Sequence, residues 1–194
     1  HAMSRRQRQM CIRDSYNRPA VIGNMDQSVD MTTACFDSCE DCVDYAAALQ
    51  GSWSPTGMGV GPDRGDEGWW SYPRDGSRGC WEDDVFEFKA DGTFTMDLGA
   101  DTWLEGWQGV ASEGCGAPVA PHVSADHTYS FNASAMELTV NGDGAYVVLA
   151  KAHNSGEDGN SGGSIMYHVT SVTETEMILD LNYGNWWRLY LKKN

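Results

Sequence analysis

The chain has 194 residues, 41% hydrophobic and 11% aromatic, which suits one core-forming domain and excludes a disordered or collagen-like body. Its formal net charge is −15, from 28 acidic and 13 basic residues; such a surface repels nucleic acid, anionic lipid headgroups and acidic polysaccharides, and leaves neutral partners open. No apolar run approaches the roughly 18 residues that a membrane-spanning helix needs.

Residues 1–15 read as non-native. His1-Ala2-Met3 has the look of a cloning remnant, and the stretch from Arg5 to Ser15 that of translated adaptor at the end of a metagenome-assembled reading frame. Arg5, Arg6, Arg8, Arg13 and Cys11 all fall there, so the body is more acidic than the total suggests. Residues 16–34 are polar and aperiodic, which predicts a linker. In 35–50, Phe36, Cys39, Val43, Ala46, Ala47 and Leu49 fall near helical spacing, predicting one short helix that stops at Gly51. The expected organisation is therefore a leader, a linker and a single domain over 35–194.

From Gly51 onward the signals are β. A short first strand holds Trp53, and residues 55–79 form a glycine-rich loop carrying Trp69-Trp70. Val85-Phe86-Glu87-Phe88-Lys89 alternates apolar and polar, Ala90-Asp91-Gly92 supplies a turn, and Thr93-Phe94-Thr95-Met96 resumes the alternation; this is a hairpin with Phe86, Phe88, Phe94 and Met96 on its covered face. Residues 102–108 predict another strand, followed by a long loop through Pro118 and Pro121. Further strands are expected at 128–131, 137–140, 146–150, 165–172, 177–181 and 186–191, separated by Asn-, Gly-, Ser- and Thr-rich turns. Eight to ten short strands joined as neighbours predict an all-β, up-and-down antiparallel barrel with a short N-terminal helix, since closure removes exposed edges.

Gly51-Ser52-Trp53, the stretch from Phe86 to Phe94, and Trp187-Arg188-Leu189 resemble bacterial lipocalin-like (calycin) domains. That resemblance implies a first-strand Trp packed across the closed barrel end and covered by a late Arg, roles matched by Trp53 and Arg188. Trp69-Trp70-Ser71, Arg78-Gly79-Cys80, Asp83-Asp84, residues 102–108 and residues 115–122 resemble accessory domains found beside glycoside hydrolases in marine polysaccharide-degrading bacteria. The second resemblance implies a glycan-related role, binding or cleaving, and carries no catalytic residues with it.

Eight tryptophans are the main chemical signal. An exposed indole stacks on the apolar face of a pyranose while nearby amides and carboxylates bond its hydroxyls. Trp69 and Trp70 in the glycine-rich loop, and Trp103 and Trp107 flanking Glu105 and preceding Gln108, are the candidate platform; Trp53 and Trp187 are expected in the core. Asp83, Asp84 and Glu105 are the carboxylates for a glycosidase, placed near the Trp cluster by the family-like pattern, although hydrolysis needs a pair about 5–9.5 Å apart that spacing cannot test. On so acidic a chain, solvated or hydrogen-bonded carboxylates are the plainer reading.

Cys80 and Cys115 would close a loop of about 35 residues and are expected to pair, as in a secreted or cell-surface protein. Cys35, Cys39 and Cys42 match an iron–sulfur spacing, but the β-rich chain and the surrounding Asp37, Glu40, Asp41 and Asp44 disfavour a cluster; a Cys35/Cys39 or Cys39/Cys42 disulfide, or free thiols, remain open. No histidine pair has metal spacing; His122, in the proline-flanked loop, is the one placed to meet Asp83 or Asp84. No phosphate-binding glycine loop or nucleophile elbow occurs. The expectation is a monomeric, cofactor-free barrel that binds a neutral polysaccharide such as a β-glucan, native beside a glycoside hydrolase domain. The alternatives are a small hydrolase or lyase using Asp83, Asp84 or Glu105, and a calycin carrying an apolar ligand in an open interior.

Overall fold

The computed structural model describes residues 44–72, 75–158 and 163–194. The leader, the linker, Cys35, Cys39, Cys42 and the first part of the expected helix lie outside them. The barrel lies within the unit 46–194.

Helix α1 (Tyr45–Leu49) precedes β1 (Gly51–Gly61), β2 (Trp70–Ser71), helix α2 (Gly79–Glu82), β3 (Val85–Phe88) and β4 (Thr93–Asp97). Then follow β5 (Thr102–Leu104), β6 (Gly114–Gly116), β7 (Ala125–Asn132), β8 (Glu137–Asn141), β9 (Ala152–His153), β10 (Gly156–Glu157), β11 (Ser164–Val172), β12 (Glu176–Asn182) and β13 (Trp186–Lys193). Strands β1, β3, β4, β7, β8, β11, β12 and β13 pair antiparallel in that order, and β13 returns to β1. The result is a closed eight-stranded up-and-down barrel, the lipocalin-like architecture expected from the sequence.

The expected hairpin is β3–β4, in the register Phe86 opposite Met96 and Phe88 opposite Phe94. All four side chains are at most 1% exposed, and burying each stabilises the fold by about 1.5–3 kcal/mol. Its turn closes through Lys89 N–H donating to Thr93 O, and Gly92 takes φ 91°, where a Cβ is unfavourable.

Register sorts the connections by end. The start of β1 (Gly51) lies beside the end of β3 (Phe88), so turns 89–92, 133–136 and 173–175 gather at one end, together with α1. Trp53 closes that end, fully buried, its Nε1 donating to Leu49 O at 2.8 Å. The cation over its ring is Lys193, at 5.1 Å, and not Arg188 as the resemblance implied. Arg188 lies opposite Asp180 on the outer wall, bonding its carboxylate through Nε at 2.8 Å and Nη2 at 3.0 Å. Arg64 Nε, at 2.9 Å, and Thr170 Oγ1 complete that cluster around a fully buried Asp180. Position decides the difference: Lys193 is the residue paired with Trp53, whereas Arg188 pairs with Gly59, near the other end.

Three sequence expectations need correction. Residue 55 does not open a loop: β1 runs through Pro55 to Gly61, and a register shift between Pro55 and Gly57 breaks the ladder where proline cannot donate. The strand expected over 102–108 stops at Leu104 and turns into a one-turn 3-10 helix, Gly106–Gln108. The strand expected at 146–150 is irregular chain crossing the barrel mouth. Its residues 144–149 are buried without alternation, and side chains instead of a ladder satisfy its backbone. Tyr167 Oη accepts from Val147 N–H at 2.9 Å, and Trp81 Nε1 donates to Val148 O at 2.7 Å. Gly144 is required there, because a Cβ would lie 1.9 Å from Pro121 O.

Candidate functional site

The three long insertions, 62–84, 98–124 and 142–163, and the turn 183–185 all leave the barrel at the end opposite Trp53. Between them lies a cleft of about 300 Å³. Met58, Val60 and Leu149 form its apolar floor; Trp69, Trp70, Tyr183 and Trp187 supply aromatic walls; Arg78, Lys151, Glu105, Glu113 and Glu157 bring the charge.

Strand pairing fixes the aromatic wall. Val60 is the cross-strand partner of both Trp70 and Trp187, so the two indoles stand on either side of it. They meet edge to face with centroids 6.1 Å apart. Trp69 N–H donates to Val60 O and Tyr72 N–H to Met58 O, which holds the double-Trp strand against β1. Trp69 is 57% and Trp70 39% exposed, the large exposed apolar side chains among the described residues. Trp187 is core, as expected, yet its Nε1 reaches the cleft and donates to Glu157 Oε1 at 2.5 Å.

The charged wall depends on the disulfide. Cys80 and Cys115 are bonded, as expected, tying α2 to β6. Arg78, just before α2, is thereby set between two rings, its guanidinium carbon 4.2 Å from the Trp103 centroid and 5.5 Å from that of Trp70. Burial lowers its proton affinity, while the charges of Glu105 and Glu113 act the other way. Glu105 begins the 3-10 turn: its N–H donates to Gln108 Oε1 at 2.9 Å, Trp107 Nε1 donates to its carboxylate at 3.1 Å, and Lys151 Nζ lies 3.9 Å away. Burial raises the Glu105 carboxyl above its ordinary range, against the opposing pull of Lys151 and Trp107. Trp103, Glu105, Trp107 and Gln108 line a second, smaller recess of about 20 Å³ that shares Arg78 and Lys151 with the cleft.

The remaining sequence candidates lie elsewhere. His122 does not meet Asp83 or Asp84: it is 4% exposed, bonded through Nδ1 to Gly144 O at 3.1 Å, and held between Trp107 and Tyr146. Burial pushes its pKa down, so it is a neutral packing residue. Asp84 is fully buried, accepts from Thr102 Oγ1 at 2.8 Å, and is pushed up to about 8 by burial. Asp83 is exposed, and neither aspartate lines the cleft. Asp101 comes together with Cys80 and Cys115, but the oxidised sulfurs cannot act as thiolate ligands, so this is not a metal centre.

No family model and no curated protein matches the chain. Solved structures similar in fold include two from Bacteroides. A lipocalin-like protein from Bacteroides uniformis is 13% identical over 76% of this chain and 99% of its own, with a TM-score of 0.40. An uncharacterized protein from Bacteroides eggerthii is 10% identical over 75% and 99%, also with a TM-score of 0.40.

Sequence reading missed Arg78, Glu113, Lys151, Glu157 and Tyr183, and took Trp187 for core alone. Arg78 adjoins Cys80, and the paired cysteines were the available signal, because they bring residues 78 and 113 to one place. Nothing local marks Lys151 or Glu157, which reach the cleft through the described residues 142–158 of their insertion.

Proposed function

We propose that this chain is a saccharide-binding barrel that holds a pyranose at its mouth by stacking on Trp69 and Trp70. One observation carries the reading: two adjacent indoles, 57% and 39% exposed, are fixed by strand pairing on the rim of a cleft that mixes donors and acceptors. A sugar ring, with one C–H face and an edge of hydroxyls, matches that surface. The cleft volume of about 300 Å³ suits one or two rings. Trp53, Phe86, Phe94 and Tyr167 pack the barrel interior, and the buried 144–149 segment packs on Phe86 and Tyr167 from the mouth side, so a small ligand of any class would sit at the mouth.

In this reading the protein captures a glycan outside the cell, where its disulfide persists, alone or beside a glycoside hydrolase. A soluble and insoluble glycan panel, read by affinity electrophoresis and by reducing-end release, tests it. Retardation by at least one glycan, abolished in Trp70→Ala with the fold intact, is the expected result. Retardation that survives Trp69→Ala and Trp70→Ala together overturns the site. New reducing ends, lost in Glu105→Gln, would make the cleft a hydrolase, in which the half-buried Glu105 carboxyl serves as the acid.

A further inference from the structure

We infer that the sugar held at the mouth carries a carboxylate, as a uronic acid ring does, and that Arg78 is the residue that selects it; the inference rests on the saccharide reading above. Net charge alone favours a neutral glycan, but the unpartnered groups of the cleft point the other way.

Two of the cleft's three carboxylates are engaged within the protein. Glu157 accepts a hydrogen bond from Trp187 Nε1 at 2.5 Å, and Glu105 accepts one from Trp107 Nε1 at 3.1 Å with Lys151 3.9 Å away. Apart from Glu113, exposed at the rim, the unpartnered groups of the walls are donors. Arg78 is held by ring faces, and among the described residues its guanidinium makes no hydrogen bond; Glu105 and Glu113 act on it only through their charge. Beneath it, Trp103 Nε1 is buried with no partner among the described residues. Both border the recess of about 20 Å³, which has room for about one oxygen atom.

A half-buried guanidinium without acceptors is costly, and a ligand that supplies them gains the difference. A hydroxyl must donate as well as accept, whereas a carboxylate only accepts, and its two oxygens match the planar fork of an arginine. The rings on either side of Arg78 hold that fork in place, so little side-chain freedom is lost on binding. The ring bearing the carboxylate then lies against Trp70 and Trp69. The charge of −15 opposes approach, but at physiological salt it is screened beyond about 8 Å, while Arg78 and Lys151 act within the cleft. Glu113, exposed at the rim, opposes the ligand and should weaken it.

Isothermal titration with matched methyl glycosides, glucuronide against glucoside and galacturonide against galactoside, tests the assignment on the whole chain. For the wild type, the uronide of at least one pair should bind about tenfold tighter than its neutral twin. Arg78→Gln should bring the uronide down to the neutral level while the neutral affinity changes less than about threefold, and Arg78→Lys should fall between. Glu113→Gln should tighten the uronide alone. A neutral twin that binds as well as its uronide overturns the inference and leaves the saccharide reading standing, as does an Arg78→Gln that weakens both alike. If no member of either pair binds and the polysaccharide panel is also silent, the saccharide reading falls and takes the inference with it. A panel that retains neutral polysaccharides but no uronic ones overturns the inference alone.

Discussion

Replacing Asp84 by Asn should change how stability depends on pH. The carboxyl is fully buried, has one partner in Thr102 Oγ1, and leaves Oδ1 with none among the described residues. Burial is the chief cause of its rise from 3.8 to about 8, with Asp83, Asp97 and Asp101 adding repulsion. An acid raised in the folded state keeps its proton where the unfolded chain has lost it. Between about pH 4 and pH 8 the unfolded state therefore binds one proton fewer, and stability falls by about 1.4 kcal/mol per pH unit from this group. Across the whole window the ceiling is about 6 kcal/mol, a large share of the stability of a small domain. Asn keeps the Thr102 contact and has no proton to lose. Its buried –NH2, lacking an acceptor, costs about 1–3 kcal/mol, but that offset is independent of pH. Urea unfolding followed by tryptophan fluorescence at pH 5, 6, 7 and 8, with the disulfide intact, reads the difference. The variant should gain on the wild type by about 1.4 kcal/mol per pH unit. Parallel curves, with a constant difference between the two proteins, refute the buried-acid reasoning.

Two further perturbations have worked magnitudes. Burial alone would raise the Asp180 carboxyl, but hydrogen bonds from Arg188, Thr170 and Arg64 overcome it and hold the group below its ordinary range. Its contribution is therefore present above the unfolded pKa and lost as pH falls through the folded one; Asp180→Asn, which removes the carboxylate from two partly exposed arginines, should cost about 1–3 kcal/mol at pH 7 in urea melts and less at acid pH. Reduction, or Cys80→Ser with Cys115→Ser, opens a loop of 35 residues and should cost about 3–4 kcal/mol by the same assay. It should also weaken any mouth ligand, since the bond places Arg78 over Trp103; unchanged affinity in a folded reduced protein would show that the rings hold Arg78 without it.

The barrel was legible in the sequence because its cause is local. Alternation of Phe86, Phe88, Phe94 and Met96 decides which side of the hairpin is covered, and Gly92 marks its turn, so neighbouring pairs identify themselves without knowledge of the rest. The Trp69-Trp70 pair stood out in the sequence as two indoles in a glycine-rich stretch, but packing or exposure was left open there and only the structure shows both exposed. The mouth was less legible. Residues 145–149 are as apolar as a strand, and periodicity cannot separate a strand from a buried crossing segment whose backbone is satisfied by Tyr167 and Trp81 from distant elements.

Sequence by itself determined the antiparallel barrel, from patterning, and the pairing of Cys80 with Cys115, from their separation along the chain; the closing role of Trp53 came only from the family resemblance. Tertiary structure alone decided that Lys193 and not Arg188 covers Trp53, that Asp84 and His122 are buried away from the cleft, and that Arg78 stands between Trp70 and Trp103. The physical reason is register and burial: which residues face each other across closed strands, and which polar groups lose water, depend on where segments far apart in the chain come to rest.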